Sequence, residues 1–255
     1  MLAHVFGYER EWPDQDLIGF SKEFDAPLTL AAYRSGVFPM PLASAPGDMG
    51  WWSPKQRGVL PLTALKVSRS LRRSATRYTT SVDQAFAAVV RRCADPAREG
   101  GWIDRDVVEV FTQLHAAGFV HSVEVWDDQD VLVGGLYGVS VGGLFAGESM
   151  FHDPERGRDA SKVALVRLIE ELAAGVPRHR LGLDRLLDVQ WVTEHLASLG
   201  AVEVSRTRYL ERLDRVLDAP GPRWPSPAQS RRAVELSALP AQLEGEHTTR
   251  GEHVA

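Results

Sequence analysis

The spacing of polar and apolar positions changes several times along the chain, and each change marks an element. From Pro27 to Arg34 the rhythm is helical, closed by Gly36 and Pro39. Ser81 with Gln84 three residues on has the form of a capping box. It predicts a helix opening at Ser81 with Phe86, Val89, Val90 and Cys93 as its apolar stripe. Asp104 to Ala117 reads as another helix, with Val107, Val110, Phe111 and Leu114 on one side and Gly118 as its stop. The period then shortens to two. His121 to Trp126 predicts a strand, Asp127-Asp128 a turn, Val131 to Gly135 a returning strand, and Leu136 to Gly147 further glycine-punctuated β structure. Asp159 is expected to cap a helix reaching about Ala174, ended by Gly175 and Pro177. A short strand from Leu186 to Trp191, a helix from Glu194 to Leu199, a strand from Val202 to Val204 and a helix from Arg208 to Leu217 complete the pattern. This order implies an α+β or mixed α/β fold. Beyond Asp218 no period is sustained, and a flexible tail is expected there.

Composition narrows the class. With 255 residues, 44% of them hydrophobic, the chain can bury a sizeable core, and seven Trp and nine Phe exclude wholesale disorder. A single cysteine, Cys93, excludes an internal disulfide framework and an all-cysteine zinc site. No apolar run approaches the ~18 residues of a membrane span, and the acidic opening lacks the apolar core of an export signal. A cytoplasmic protein is the expectation. The net charge of -5 does not favour polyanions, but Trp51 to Ser81 carries seven basic residues (Lys55, Arg57, Lys66, Arg69, Arg72, Arg73, Arg77) and no acidic one. Such a run is either a phosphate-binding footprint or a solvated helix face.

Few motifs carry chemistry by themselves. Gly138-Val139-Ser140-Val141-Gly142 matches a nucleophile elbow, but Gly143 to Gly147 read as strand where an elbow needs a helix, so Ser140 is taken as a strand residue. The eight histidines show no metal-ligand spacing, and no phosphate loop or dinucleotide fingerprint occurs; no metal and no cofactor are expected. More informative are polar residues set in apolar strands. Asp188 and Gln190 stand two apart, which places both on one face of a strand, and Glu148 sits between Gly147 and Ser149 ahead of Met150-Phe151. A buried carboxylate requires a partner. Either these acids pair with a buried Arg or Lys such as Lys162 and fix the fold, or they belong to a functional site.

Taken together, eight strings in order resemble the leucyl/phenylalanyl-tRNA–protein transferase family: YRSGVFP from Tyr33, WWSP from Trp51, SRSLRR from Ser68, GWI from Gly101, HSVEVW from His121, GGLYGVSVGGLFAGESMF from Gly134, ASK from Ala160 and LDVQWVTEHLASLGA from Leu187. The resemblance implies a small N-terminal domain over residues 1–64, a GNAT-like acyltransferase domain with a central mixed sheet over residues 65–217, and a tail over residues 218–255. It further implies transfer of Leu, Phe or Met from aminoacyl-tRNA to the N-terminal Arg or Lys of a protein, which marks that protein for degradation. Asp188, Gln190 and Glu148 match the catalytic positions. Leu136, Phe145, Met150, Leu165, Leu168 and Leu187 match the donor side-chain pocket. The tRNA end would meet Arg69, Arg72, Arg73 and Arg77, with Tyr33, Trp51, Trp52 and Trp102 for stacking. Met40 stands where the family usually has an aromatic residue. The expected form is a monomer. Two alternatives differ in class: a GNAT-like enzyme using another acyl donor such as acyl-CoA, for which no Q/R-x-x-G-x-G/A loop is seen, and a non-catalytic binder of protein N-termini.

Overall fold

The computed structural model describes residues 5–97 and 101–240. Two sheets organise it. In the first, β1 (Leu17–Ser21), β2 (Phe38–Pro41) and β3 (Met49–Trp52) form an antiparallel sheet with β3 in the centre. Helix α1 (Ala26–Arg34) joins β1 to β2. Asp25 caps it by accepting from the Leu28 N–H at 2.8 Å, and Pro27 lies in the first turn, where its missing N–H costs nothing.

The second sheet takes the rest: β4 (Gln56–Val59), β5 (Thr79–Val82), β6 (Val120–Trp126), β7 (Leu132–Val141), β8 (Leu144–His152), β9 (Leu186–Gln190) and β10 (Val202–Ser205), in the order β10-β4-β9-β8-β7-β6-β5. Every neighbouring pair is antiparallel except β8 with β9, so the sheet is mixed. The chain passes from the first sheet to the second between Trp52 and Gln56. The helices are α2 (Arg69–Ala75), α3 (Phe86–Cys93), α4 (Arg105–Ala116), α5 (Ala160–Ala173), the short α6 (Leu181–Asp184), α7 (Glu194–Leu199) and α8 (Arg206–Leu217). Alternate residues of the strands feed different cores. Val123, Leu136, Phe145 and Leu187 pack with α5 on one face. Val120, Val139 and Ala146 pack with α3, α4 and the first sheet on the other, where α8 also covers Val59, Leu144 and Leu186.

Three local expectations are corrected. Ser81 does not open a helix. It lies in β5, and its hydroxyl sits 2.5 Å from the buried Glu124 carboxylate, so a tertiary partner took the group that a cap would have used; α3 begins at Phe86. Asp159 stands at the start of α5 in a left-handed conformation and caps nothing; its carboxylate instead binds Lys162 and Ser74, each at 2.9 Å. The segment 218–240, expected to be a flexible tail, runs back over the large sheet, while residues 241–255 lie outside the described residues. Ser230 and Thr80 are fully buried together, and Arg232 exchanges both backbone hydrogen bonds with Thr80. Ser140 lies in β7, as the absent helix implied.

The buried Arg167 of α5 ties three parts together. It donates to Glu171 at 2.6 Å, to the Thr80 hydroxyl at 2.7 Å and to the Ser230 carbonyl at 2.9 Å. Arg167→Met strips these acceptors of their donor and is predicted to lower the unfolding free energy by about 3 kcal/mol. Urea denaturation measures that loss, and amide exchange at residues 230–232 should accelerate in step.

Candidate active site

Strands β8 and β9 run parallel from Leu144↔Leu186 to Ala146↔Asp188, and there the pairing ends. Beyond it, at the carboxyl end of β9 and along the middle of β8, the sheet opens into a cavity of about 230 Å³. Leu136, Phe145, Met150, Leu165, Leu168 and Leu187 all line it, together with Val189, Thr193, His195 and Leu196. Glu148 and Gln190 are among its polar lining side chains, and they touch: the Gln190 amide donates to Glu148 Oε1 at 3.3 Å.

Both owe their aim to broken strand geometry. The register of β7 against β8 slips between Tyr137↔Ser149 and Gly138↔Gly147, leaving Glu148 as the extra residue of a bulge. Gln190 has φ 57, a left-handed conformation that a residue with a side chain rarely adopts. The chain that turns away after it crosses β4 at Gly58, where a Cβ would lie 2.9 Å from the Trp191 carbonyl carbon. The spacing of Asp188 and Gln190 predicted one shared face; the structure separates them. Gln190 reaches Glu148 and the cavity, whereas Asp188 turns into the protein.

Asp188 is 0% exposed and fully engaged. Arg57 of β4 binds it in a fork, Nε to Oδ1 at 2.9 Å and Nη2 to Oδ2 at 2.6 Å. The Tyr209 hydroxyl of α8 donates to Oδ2 at 2.9 Å, and the Gln190 backbone N–H donates to Oδ1 at 3.0 Å. Arg57 also donates to the Gly36 carbonyl at 3.1 Å and lies between the rings of Tyr209 and Phe38, 4.4 and 4.7 Å from their centres. Burial disfavours the guanidinium charge, but the Asp188 carboxylate outweighs it and holds Arg57 above its ordinary range. Burial also pushes Tyr209 well up, which keeps its hydroxyl a donor.

Glu148 has no such cation in contact. Burial is the main influence and, with the negative charge of Asp188, pushes its carboxyl up to about 8 against the opposing pull of Tyr33 and Arg57. Tyr33 lies close by, its own hydroxyl raised by burial and by the neighbouring Glu148. At the cavity rim His195 is lowered by burial, with Lys162 and His152 adding to the effect.

The remaining predicted residues divide. Arg69, Arg72, Arg73 and Arg77 are exposed on and just after α2. Arg72 lines a groove of about 810 Å³ with Lys66, Lys162, Ser68 and Ser198. The groove reaches the carboxyl end of α7, whose first residues line the apolar cavity, so the two meet along one helix. Tyr33 and Trp51, expected as stacking surfaces, are buried in this structure. Trp51 packs edge-on against Phe6 at 5.2 Å and donates to the Ser21 hydroxyl at 2.9 Å. Trp52 and Trp102 are partly buried, and Trp52 meets Trp191 edge-on at 6.0 Å. Lys162 pairs with Asp159 and so is not the partner of the buried acids. The partner of Asp188, Arg57, was hidden in the basic run, and Tyr209 carried no local signal. Among the described residues, no three His, Cys, Asp or Glu side chains gather to hold a metal, and no helix is long and apolar enough to cross a membrane.

The site thus joins an apolar cavity of side-chain size, a carboxyl and an amide beside it, and a basic groove that reaches the same helix. Comparison with known proteins gives the family. Residues 22–55 match the model of the leucyl/phenylalanyl-tRNA protein transferase N-terminal domain, and residues 59–214 match the leucyl/phenylalanyl-tRNA protein transferase model. Curated relatives named leucyl/phenylalanyl-tRNA–protein transferase include one from Ruegeria sp., 49% identical over 79% of this chain and 93% of its own length. Another, from Afipia carboxidovorans, is 45% identical over 82% of this chain and 88% of the relative, and one from Paramagnetospirillum magneticum is 48% identical over 74% and 87%. The chain belongs to the leucyl/phenylalanyl-tRNA–protein transferase family, a family of aminoacyltransferases.

The raised Glu148 carboxyl predicts a pH signature. Below the ordinary value of 4.5 the folded and unfolded chains both hold the proton; between 4.5 and about 8 only the folded chain does. Stability is therefore lost as pH rises through this window, because the unfolded chain gains by releasing a proton that the native carboxyl retains until about pH 8. Glu148→Gln removes that loss. Its unfolding free energy relative to the wild type should climb from pH 5 to pH 8 and level off above; a constant difference across the range would show Glu148 to be an ordinary carboxylate.

Proposed function

We propose that this chain transfers leucine or phenylalanine from aminoacyl-tRNA to the N-terminal amine of a protein beginning with Arg or Lys. The observation that carries the reading is the union, in one cavity, of an apolar lining and the Glu148–Gln190 pair at its mouth. The donor side chain fills the cavity, and its α-ammonium meets Glu148. An arriving cation favours the carboxylate, so Glu148, protonated near neutrality when alone, ionises as the donor binds. Gln190 fixes the orientation of the same group. The acceptor amine, with an ordinary pKa of about 7.7–8.0, has a neutral fraction able to attack. Its nitrogen bonds to the ester carbonyl carbon, the bond to the terminal ribose oxygen breaks, and the amine proton ends on that oxygen. Most of the rate comes from holding ester and amine together.

Asp188 has no free lone pair directed at this space. Its role is positioning: it anchors Arg57 and Tyr209 and holds the backbone of Gln190 in its rare conformation. The groove with Lys66, Arg72 and Lys162, and the exposed Arg69, Arg73 and Arg77, supply cations for the phosphates of the acceptor end, with Trp52 and Trp102 the remaining aromatic candidates. The mixed sheet with a site where two parallel strands part supports a GNAT-like fold, and the protein is read as a cytoplasmic monomer.

Labelled leucine from Leu-tRNA should appear on peptides beginning with Arg or Lys and not on one beginning with Ala; label on all three, or on none, contradicts the acceptor rule or the transfer itself. Gln190→Ala should lower kcat/KM by about 10²-fold, the scale of one lost positioned donor. Asp188→Asn should lower kcat and cost about 3 kcal/mol of stability while leaving the midpoint of the pH–rate profile in place. A midpoint that moves in Asp188→Asn would make Asp188 a proton-transfer group.

A further inference from the structure

The family match ends at residue 214, and the segment beyond it is fastened to the back of the cavity. Arg185 donates to the Pro220 carbonyl at 2.7 Å. Farther on, the Ser230 hydroxyl accepts from the Val82 N–H at 3.0 Å, and Arg232 pairs with Glu170 at 2.7 Å and Glu171 at 3.2 Å. These two acids belong to α5, the helix whose Leu165 and Leu168 form one wall of the cavity.

Between these fastenings lies Trp224. Its indole stacks on the His121 imidazole, 4.3 Å between centres and 21° from parallel, and His121 is held in turn by Asp83 at 2.7 Å. The same indole lies 5.8 Å from the ring of Phe145, tilted by 53°. Phe145 lines the cavity and lies across Gly138, where a Cβ would stand only 2.5 Å from a ring carbon. The Phe145 ring therefore has backbone against one part of it and Trp224 against another. Trp224 itself does not line the cavity and lies outside the matched family region.

We propose that Trp224 sets the depth of the donor cavity by backing Phe145, and so sets the preference for a leucine side chain over a phenylalanine side chain. Trp224 is a positioning residue acting through Phe145, and the proposal rests on the donor site described above. With the indole removed, Phe145 gains room to swing away from the cavity, and the larger donor benefits more.

The test is competition between Leu-tRNA and Phe-tRNA for one Arg-initial peptide, comparing the wild type with Trp224→Ala and Trp224→Leu. The ratio of kcat/KM for Phe over Leu should rise about 10-fold in Trp224→Ala, the lower end of what one methylene-scale change in a pocket produces. It should rise less in Trp224→Leu. Because both donors compete within one preparation, loss of folded enzyme cancels from the ratio, and Trp224→Leu carries the test if the alanine variant does not fold. A ratio unchanged within about two-fold overturns the role of Trp224 while leaving the transfer reading intact. A wild type that transfers neither donor overturns both.

Discussion

The structure depends on a charge pair that has no access to water. Arg57 and Asp188 face each other across β4 and β9, and side chains this polar remain inside only when every hydrogen-bonding position is used. The requirement recruits Tyr209 from α8, the Gly36 carbonyl from the end of α1 and the backbone of Gln190. Strands β4 and β9, helix α8 and the turn after α1 meet there, and α1 belongs with the smaller sheet. The pair thus fixes how the two sheets join as well as where β9 ends. A pair of well-packed apolar residues would serve stability equally well. What it could not supply is a carboxylate oxygen to hold the Gln190 N–H in a left-handed turn.

That turn and the bulge at Glu148 are two departures from strand geometry on neighbouring parallel strands, and the cavity lies between them. A regular β8 and β9 would send alternate side chains to opposite faces and keep their backbones paired. Interrupting both strands at the same level parts them, opens the apolar core of α5 to solvent, and brings one carboxyl and one amide to the opening. The electrostatics derive from the same layout. Asp188 is neutralised by Arg57 in direct contact, whereas Glu148 feels burial and the negative charge of Asp188, and its carboxyl rises toward neutrality. Two acids near a common opening thus take different parts, one as a fixed anion and one as a group ready to change charge.

Much of this was legible in the chain, and the failures have common physical causes. Asp188, Gln190 and Glu148 stood out as polar residues in apolar strands, and the cost of burying a carboxylate demanded a cation. Sequence proximity offered Lys162, but the cation was Arg57, 131 residues before Asp188, because nothing local distinguishes an arginine destined for the interior from its exposed neighbours in a basic run. The left-handed Gln190 was invisible, since no glycine advertises it. Ser81 had a local partner in Gln84 and a stronger distant one in Glu124; Tyr33 and Trp51 were aromatic without any mark of which side of the surface they would occupy. The segment after Asp218 looked unstructured because Trp224, Ser230 and Arg232 hold it at isolated points, and isolated points have no period.

The most direct measurement is the titration of the Glu148 carboxyl itself by carbon-detected NMR, in the free protein and with a non-hydrolysable leucyl-adenosine analogue bound. Burial in the free protein should give a midpoint near 8, and the midpoint should fall by more than about one unit when the ammonium of the analogue takes its place beside the carboxylate. A midpoint near 4.5 that does not respond to the analogue would mean that the amine binds elsewhere and that the bulge in β8 serves only the fold.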